Sequence, residues 1–363
     1  MPEFLFATWD GGGNVPPALG IAAELRTRGH GVHVIGHEGN RTAVTAAGFE
    51  FTAYRRAKRF SSAEVNPPER MVEIFNDEGI ASDVVDLARS RVADVVIIDA
   101  LLLAALPAAR DAGLTYVPLE HFFDHYLRQY WLQGPWGAVA ADRGHAPLET
   151  LDAAPVTLAA TLRELDPAGA MSCPENLLFT GPVLESCTPP DATALQPSIL
   201  VSLSTYNFPG QTESMQIILD AVADLAARVV VTTGPVIDAD LLQVPANVEI
   251  HRYVDHSQLM PEATLVIGHG GHATTMRALA YDLPLIVLPQ HPMLDQTMVG
   301  AAVEQAGAGR LLDRETDVES LRAVIEDMLK DGPHRDAAAQ LGKLIRESRG
   351  ASTAADRLVA LTD

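Results

Sequence analysis

The chain has 363 residues, of which 47% are hydrophobic, and this length and composition predict two globular domains with separate cores. The formal net charge of −21 excludes the basic surface on which nucleic-acid binding depends. The N-terminus has no basic segment followed by a long apolar run, and no stretch of about 18 uncharged apolar residues occurs. We therefore expect a cytoplasmic protein without a signal peptide and without stable membrane insertion.

The two cysteines, Cys173 and Cys187, are expected to be structural or free thiols. Nothing else in the sequence indicates the oxidising compartment in which disulfides persist.

The N-terminal half alternates short apolar runs with helical patterns. Such βαβ units predict a parallel sheet that is buried on both faces. Two stretches without clear periodicity, Tyr54–Gly79 and His121–Gly144, are interpreted as irregular loops that shape a ligand site. The predicted strands are Phe4–Thr8, Val32–Ile35, Val95–Ile98 and Tyr116–Leu119, and the predicted helices are Pro16–Arg28 and Leu101–Ala112.

The C-terminal half contains a second α/β series. Its predicted strands are Ile199–Leu203, Val229–Thr232, Val248–His251, Leu265–Ile267 and Leu285–Leu288, and its predicted helices are Glu213–Ala226, Thr274–Ala280, Gln296–Gln305, Val318–Leu329 and Pro333–Leu361.

The predicted domain boundaries follow from a change in composition. Residues 186–197 are rich in Ser, Thr and Pro and predict a linker between an N-terminal domain, 1–185, and a C-terminal domain, 198–345. We expect the closing helix, 346–363, to pack back towards the N-terminal domain. Two Rossmann-like, doubly wound α/β domains facing across a cleft would form a two-substrate enzyme, because ligands bind at the carboxyl ends of such sheets.

A glycine-rich segment, His269-Gly270-Gly271-His272-Ala273-Thr274-Thr275, follows the predicted strand Leu265–Ile267 and opens a helix. Glycines allow a close approach of the backbone to a ligand, and the first amides of a helix bind anions without a lysine. Thr274 and Thr275 are expected at the helix N-cap, and His269 is able to donate to a phosphate oxygen. The segment therefore predicts a diphosphate site, although an ordinary strand–helix turn would carry the same glycines and threonines.

Asp295 and Gln296 follow the next predicted strand, Leu285–Leu288. A carboxylate beside an amide suits the paired hydroxyl groups of a sugar ring. Taken alone, the pair is equally compatible with an N-cap of the following helix.

Together these two motifs resemble the donor site of the inverting, GT-B-fold glycosyltransferases of the UDP-glycosyltransferase superfamily, in particular their bacterial natural-product members. The resemblance extends over nearly the whole chain. It is carried further by four segments, Gly13-Asn14-Val15-Pro16-Pro17, Arg28-Gly29-His30-Gly31-Val32, Val201-Ser202-Leu203-Ser204 and Tyr253-Val254-Asp255-His256-Ser257-Gln258-Leu259-Met260-Pro261.

The resemblance implies a role for each matching position of the donor site. The expected diphosphate contacts are His269, Gly270, Gly271, Thr274, Thr275 and Ser204. Asp295 and Gln296 would hold the sugar, and the main chain of Val254 would meet the nucleobase. Where many relatives have a glutamate that binds ribose, this chain has Arg277. The substitution puts the ribose contact in doubt and is compatible with a deoxythymidine nucleotide.

The position at which the family carries its catalytic histidine or aspartate is occupied by Asn14. Transfer requires the acceptor hydroxyl to lose a proton, and an asparagine amide does not accept one at neutral pH. Asp99 matches the supporting aspartate of the family. Three explanations remain open: another base acts (Asp10, Asp99, Glu120 or His121), the acceptor is acidic enough to need only positioning, or the protein binds a nucleotide sugar without transferring it.

The acceptor is expected in the N-terminal domain, where aromatic residues are concentrated after the strand Tyr116–Leu119. Large aromatic side chains suit a flat, hydrophobic acceptor such as an aromatic or polyketide natural product, although local core packing would explain them as well. The candidate acceptor residues are Glu120, Phe122, Phe123, Tyr126 and Trp131, with Tyr130 and Trp136 nearby.

The predicted function is the transfer of a deoxysugar or hexose from a TDP- or UDP-sugar to such an acceptor, with inversion at the anomeric carbon. The alternatives are a catalytically silent partner of another glycosyltransferase and a GT-B-fold nucleotide-sugar epimerase or related hydrolase. No cofactor is expected beyond the nucleotide sugar as co-substrate, and no metal site, because His269 and His272 lack further ligands nearby. A homodimer is compatible with the sequence.

Overall fold

A computed structural model of the chain describes residues 1–189, 196–330 and 332–362. Part of the predicted linker, 190–195, lies outside these described residues. The contacts divide the chain into two compact units. The first, called here the N-terminal domain, comprises Met1–Ser62, Asn66–Glu185 and Ser348–Asp363, and the second, the C-terminal domain, comprises Ala63–Val65 and Ser186–Glu347.

The N-terminal domain contains a parallel seven-stranded sheet in the order β3-β2-β1-β4-β5-β6-β7. The strands are β1 (Glu3–Ala7), β2 (Gly31–Gly36), β3 (Glu50–Ala53), β4 (Val95–Asp99), β5 (Tyr116–Glu120), β6 (Thr157–Ala159) and β7 (Leu177–Phe179). The helices are α1 (Val15–Thr27), α2 (Arg41–Ala46), α3 (Pro68–Phe75), α4 (Glu78–Arg91), α5 (Ala105–Asp111), α6 (Asp124–Tyr126), α7 (Pro135–Asp142) and α8 (Pro147–Ala153), with a π-helical turn at Leu127–Trp131 and short 3-10 turns at Glu38–Asn40 and Pro167–Ala170.

The C-terminal domain contains a parallel six-stranded sheet in the order β10-β9-β8-β11-β12-β13. The strands are β8 (Ser198–Ser202), β9 (Arg228–Thr232), β10 (Val248–His251), β11 (Leu265–Gly268), β12 (Leu285–Val287) and β13 (Gly309–Leu311). The helices are α9 (Gln211–Val222), α10 (His256–Leu259), α11 (His272–Ala280), α12 (Gln296–Gln305), α13 (Val318–Met328) and α14 (Pro333–Glu347), with 3-10 turns at Ala239–Leu241 and Met260–Glu262. The final helix, α15 (Gly350–Val359), belongs to the N-terminal domain.

Both sheets have the strand order of a doubly wound fold, so each has a switch point where the order reverses. In the N-terminal domain this point lies between β1 and β4, and in the C-terminal domain between β8 and β11. Each sheet has its own apolar core, and Ala354, Ala355 and Leu358 of α15 belong to the core of the N-terminal domain. The prediction of two Rossmann-like α/β domains is confirmed.

The interpretation of Tyr54–Gly79 and His121–Gly144 as irregular loops was wrong. The first contains α3 and the start of α4, and the second contains α6, the π-helical turn and α7. The helices α3 and α7 have only eight residues each, while Gly134 followed by Pro135 marks the start of α7.

The predicted helix Pro333–Leu361 is two helices, α14 and α15. The second begins at Gly350, where a Cβ atom would lie 2.3 Å from the carbonyl oxygen of Pro182. The backbone at the start of α15 therefore packs closely against Pro182 of the same domain. Across the described ranges, no helix combines the length and the apolar character that a membrane span requires.

Candidate active site

The glycine-rich segment lies in the C-terminal domain, directly after β11 and beside the switch point of the sheet. Gly270 has a φ of +83°, and a Cβ atom there would lie 2.6 Å from the backbone oxygen of Gln296. A Cβ atom at Gly271 would lie 2.4 Å from Nε2 of His269. Gly270 therefore requires glycine for its backbone conformation and its close packing, and a side chain at position 271 would displace the His269 ring.

The expectation that Thr274 and Thr275 form the N-cap of the helix was wrong. The N-cap of α11 is Gly271, the helix begins at His272, and Gly271 makes no side-chain cap. Thr274 lies in the first turn, whereas Thr275 is buried and its N–H donates to the carbonyl of Gly271. An exposed helix N-terminus without a side-chain cap leaves its first N–H groups for an anion.

His269 presents its Nδ1 atom without a hydrogen-bond partner among the described residues, although this atom is buried. Burial lowers the pKa of His269 to about 4. A hydrogen bond with the Ser202 backbone raises this pKa by a smaller amount. The imidazole is therefore neutral at pH 7. It offers a ligand a polar ring atom rather than a positive charge.

Gln296 and Asp295 stand at the start of α12. The Oε1 atom of Gln296 accepts hydrogen bonds from the backbone N–H groups of Gln290 (2.6 Å) and His291 (3.1 Å). Its oxygen thus fixes the turn after β12, and its NH2 group is the part that suits a sugar hydroxyl. Asp295 occupies the N-cap position of α12 but makes no side-chain cap hydrogen bond, so its carboxylate does not serve the capping role that the sequence left open.

Ser204 lies in the turn that follows β8. Its Oγ accepts the N–H of Tyr206 (3.0 Å), and its own N–H donates to Oε1 of Gln211 (3.1 Å). Sequence reasoning missed Arg314, which connects this turn to the one after β12 by donating to the carbonyls of Pro209 (2.5 Å) and Gln290 (3.1 Å). No motif marks Arg314, because it follows β13, far along the chain from both turns.

Val254 is half-buried in the loop after β10, in the segment expected to meet the nucleobase. The next residue, Asp255, caps α10 through the N–H of Ser257 (2.9 Å), and Arg277 Nη1 lies 3.6 Å from Asp255 Oδ1. The Ser257 hydrogen bonds, with a contribution from the Arg277 charge, lower the pKa of Asp255. Arg277 is therefore in ion-pair contact with the predicted nucleobase segment through Asp255.

In the N-terminal domain, Asn14 lies at the switch point between β1 and β4. Its Nδ2 atom donates to Thr8 Oγ1 (2.8 Å), to the carbonyl of Trp9 (3.1 Å) and to Asp99 Oδ2 (2.9 Å). Its Oδ1 atom is buried and has no hydrogen-bond partner within the described part of the chain. The structure thus joins Asn14 to Asp99, as the resemblance implies, and leaves one amide oxygen for a ligand.

His121 follows β5, the strand next to β4. Its Nε2 atom lies 3.3 Å from Asp99 Oδ2 at ion-pair distance, without the geometry of a full hydrogen bond. The His121 ring packs edge-on against Phe122, with ring centroids 4.6 Å apart. Asn14, Asp99 and His121 therefore meet around one carboxylate oxygen.

The other two candidate bases have different surroundings. Asp10 is half-buried, which raises its pKa, while hydrogen bonds from the backbone and hydroxyl of Ser62 act against that rise. Glu120 is fully buried, and burial, together with the negative charges of Asp124 and Asp166, raises its pKa well above the ordinary value.

Aromatic side chains form a continuous network around this region. Trp9 meets Phe75 (5.0 Å), Phe75 meets Trp131 (5.4 Å), and Trp131 stacks on Trp136 (4.5 Å). The network continues from Trp131 to Tyr126 and Phe122, and Phe123 is fully buried behind them. The indole N–H groups of Trp9 and Trp131 are buried without a hydrogen-bond partner among the described residues.

Sequence reasoning also missed a cavity of about 280 Å³ that is lined in part by residues of the Asp124–Trp131 segment. Arg128 lines it and donates to Asp124 Oδ1 and Asp152 Oδ1, both at 2.7 Å. Asp166 accepts the N–H of Asp124 (2.6 Å), and burial raises the pKa of Asp166 to about 6. These contacts hold the segment that carries the aromatic side chains.

Two sequence expectations concern metal ligands and cysteines. Within the described ranges, no group of three or more His, Cys, Asp or Glu side chains is arranged to hold a metal ion. Cys173 and Cys187 are both free thiols.

Known proteins match this chain in sequence and in structure. Residues 216–361 match the family model for the C-terminal domain of erythromycin biosynthesis protein CIII-like proteins. The chain is 24% identical to the uncharacterized UDP-glucosyltransferase YojK of Bacillus subtilis, over 99% of this chain and 97% of the relative. It is 25% identical to the demethyllactenocin mycarosyltransferase of Streptomyces fradiae, over 99% of this chain and 87% of the relative.

Two solved structures show the same fold. The calicheamicin glycosyltransferase has a TM-score of 0.80 at 23% identity, covering 99% of this chain and 98% of the other. The glycosyltransferase VinC in complex with dTDP has a TM-score of 0.72 at 22% identity, covering 99% of both chains.

These findings confirm the class that the sequence predicts: the chain is a glycosyltransferase of the GT-B fold. Within that class, residues 216–361 resemble the C-terminal domain of the erythromycin biosynthesis protein CIII-like proteins.

Proposed function

We propose that the enzyme transfers a sugar from a TDP- or UDP-sugar to a hydrophobic natural-product acceptor, with inversion at the anomeric carbon. The observation that carries the donor part is the turn between β11 and α11. There a left-handed Gly270 packs against the backbone of Gln296, and the uncapped start of α11 lies beside the His269 ring. Such a backbone cradle binds a diphosphate without any lysine.

The acidic character of the protein fits this mode of binding. With a net charge of −21, the enzyme cannot attract a dianionic nucleotide through its overall field, so local amide donors have to hold it. His269 stays neutral near pH 7 and adds a directed ring atom without adding charge.

A thymidine nucleotide is the donor best supported. The solved relative in complex with dTDP has the same fold, and Arg277 occupies the place of the glutamate that the resemblance assigns to ribose binding. Arg277 lies 3.6 Å from Asp255 and presents no carboxylate, which supports a nucleotide that does not need the usual recognition of a ribose hydroxyl. The sugar, a deoxysugar or a hexose, would contact Asp295 and the NH2 group of Gln296.

The acceptor would bind in the N-terminal domain against the aromatic network. Trp9 and Trp131 each contribute a broad apolar ring and an indole N–H that has no protein partner in the described part of the chain. A flat acceptor with oxygen substituents would satisfy both properties, which is the chemistry of aromatic and polyketide natural products. The silent-partner and epimerase alternatives are not favoured, because relatives matched over 99% of this chain are named as transferases.

The test combines nucleotide binding with product analysis. We expect TDP and UDP, but not GDP, to raise the melting temperature by mass action. Incubation with α-linked TDP-glucose and naphthol should yield a naphthyl glucoside whose anomeric proton has the coupling of a β-linkage. Absence of any shift with TDP and UDP would refute the donor site, and an α-linked product would refute inversion.

A further inference from the structure

The proposed transfer needs a group that removes the proton of the acceptor hydroxyl, and Asn14 does not provide it. The Asn14 amide nitrogen is directed at three oxygen atoms, one of which belongs to Asp99. An amide oxygen accepts a hydrogen bond but not a proton at neutral pH. The inference below rests on the proposed function and assigns that missing role.

Asp99 is enclosed by its partners. Its Oδ1 accepts the N–H of Leu101 (3.0 Å), its Oδ2 accepts Nδ2 of Asn14 (2.9 Å), and the residue is 5% exposed. A carboxylate with both oxygens engaged in this way is suited to position a neighbouring side chain rather than to remove a proton from the acceptor. It has no open face for an acceptor.

Glu120 and Asp10 are also unsuited to the role. Glu120 is fully buried, and burial together with the negative charge of Asp124 raises its pKa, so the side chain has no face exposed to an acceptor. The Asp10 carboxylate is hydrogen-bonded to the backbone and hydroxyl of Ser62, and it packs so closely on Gly39 that a Cβ atom there would lie 2.6 Å from Oδ2. Asp10 therefore connects the turn that contains Gly39 to the loop that contains Ser62.

We propose that His121 is the catalytic base and that Asp99 and Asn14 are its positioning residues. The Nε2 atom of His121 faces Asp99 Oδ2, and the ring is held edge-on by Phe122. This arrangement assigns the proton of the neutral ring to Nε2 and leaves Nδ1 to accept from the substrate. Asn14 fixes the Asp99 carboxylate by donating from Nδ2 to Asp99 Oδ2 (2.9 Å).

The sheet explains how the base is displaced while its carboxylate partner remains. Strands β1, β4 and β5 are consecutive neighbours, and Asn14, Asp99 and His121 follow or end these three strands. Asp99 ends the central one, so its carboxylate reaches a group on either side. A base that is absent after β1 is thus supplied after β5, against the same carboxylate.

The acceptor oxygen forms a bond to the anomeric carbon of the donor sugar while its proton moves to Nδ1 of His121. The bond between the anomeric carbon and the diphosphate oxygen breaks, and its electron pair leaves with the nucleoside diphosphate. Asp99 stabilises the resulting imidazolium by its negative charge.

The experiment compares His121→Gln with wild type and with His125→Gln. Glutamine keeps a hydrogen-bonding side chain but cannot take a proton, and His125 is a half-buried histidine four positions along the same segment. Turnover of α-TDP-glucose is measured as TDP release with naphthol, with naphthylmethanol and with water alone. We expect His121→Gln to lose about 10²–10⁴-fold in kcat with naphthylmethanol, while His125→Gln stays at the wild-type rate.

The loss should be smaller with naphthol, because a phenol is far more acidic than an aliphatic alcohol. Imidazole added to His121→Ala should restore part of the naphthylmethanol turnover. In wild type, kcat/KM should fall on the acid side of its pH profile as the base becomes protonated, and this limb should be absent in His121→Gln. Asp99 is the charged group that faces His121 at ion-pair distance, so Asp99→Asn should move the limb without abolishing it.

TDP binding, measured by the shift in melting temperature, separates the two proposals. His121→Gln that binds TDP normally and retains wild-type turnover with naphthylmethanol would overturn the assignment of the base and leave the transferase proposal intact. Wild type that binds TDP but releases none from TDP-glucose with any of the three acceptors would overturn both proposals.

Discussion

Replacing Gly270 by alanine is expected to weaken nucleotide binding, because this residue shapes the proposed diphosphate turn. Its φ of +83° lies in the left-handed region, which costs about 1–2 kcal/mol for an L-residue with a Cβ atom. The added Cβ atom would also lie 2.6 Å from the backbone oxygen of Gln296, which cannot rotate away. The turn must therefore shift, and we expect a loss of at least about 1–2 kcal/mol in TDP binding, or roughly 5–30-fold in Kd.

Titration calorimetry with TDP measures this loss, and the same turn offers a matched control. Gly268 ends β11, and a Cβ atom there would meet its nearest neighbour, the carbonyl oxygen of Ser202, at an ordinary 3.4 Å. Gly268→Ala should therefore bind TDP like wild type. If Gly270→Ala also binds TDP with the wild-type Kd while its fold is intact, the turn does not contact the diphosphate and the reasoning is refuted.

Three further predictions concern stability and specificity. Burial lowers the pKa values of His37, His256 and His269 in the folded protein to about 4. Between pH 6.5 and 4 the unfolded chain therefore binds more protons than the folded one, and the free energy of unfolding decreases as the pH falls. His37→Phe should therefore show a smaller acid-induced fall in melting temperature than wild type, and an equal fall would contradict this cause. Asp83→Ala removes a buried carboxylate that binds two backbone N–H groups and one guanidinium, and denaturant titration should show a loss of about 1–3 kcal/mol, against little change for the exposed Asp86→Ala. Arg277→Glu should raise the affinity for UDP relative to TDP, and calorimetry showing an unchanged UDP-to-TDP ratio would exclude Arg277 as a determinant of the nucleotide.

The regular parts of the fold were accessible from the sequence because their local patterns agree with the structure. Strand Val248–His251 and helix Gln296–Gln305 have the predicted bounds, since apolar runs and helical spacing decide them. Strands β6 and β7 have three residues each, too few to show any period, and α3 has only eight residues.

The start of α11 illustrates a different limit. Threonine is a good N-cap, so the sequence favoured Thr274, but the left-handed Gly270 turns the chain early enough for the helix to begin at His272. A positive φ angle is a property of the folded backbone, and the sequence Gly268-His269-Gly270-Gly271 does not reveal which glycine adopts it.

For the candidate site, motifs identified single positions but not their mutual contacts. Asn14, Asp99 and His121 were each singled out, yet only the strand order β1-β4-β5 brings them to one carboxylate oxygen. The polar contacts of Arg128 and Arg314 were missed because their partners are distributed over separate turns of the chain.

Titration of TDP into wild type and His269→Ala tests the central claim most directly. We expect saturable binding to one site in wild type and clearly weaker binding in the variant, since His269 supplies a buried, unpartnered ring atom beside the start of α11. Failure of wild type to bind either TDP or UDP, or equal binding by the variant, would contradict the placement of the donor diphosphate at this turn.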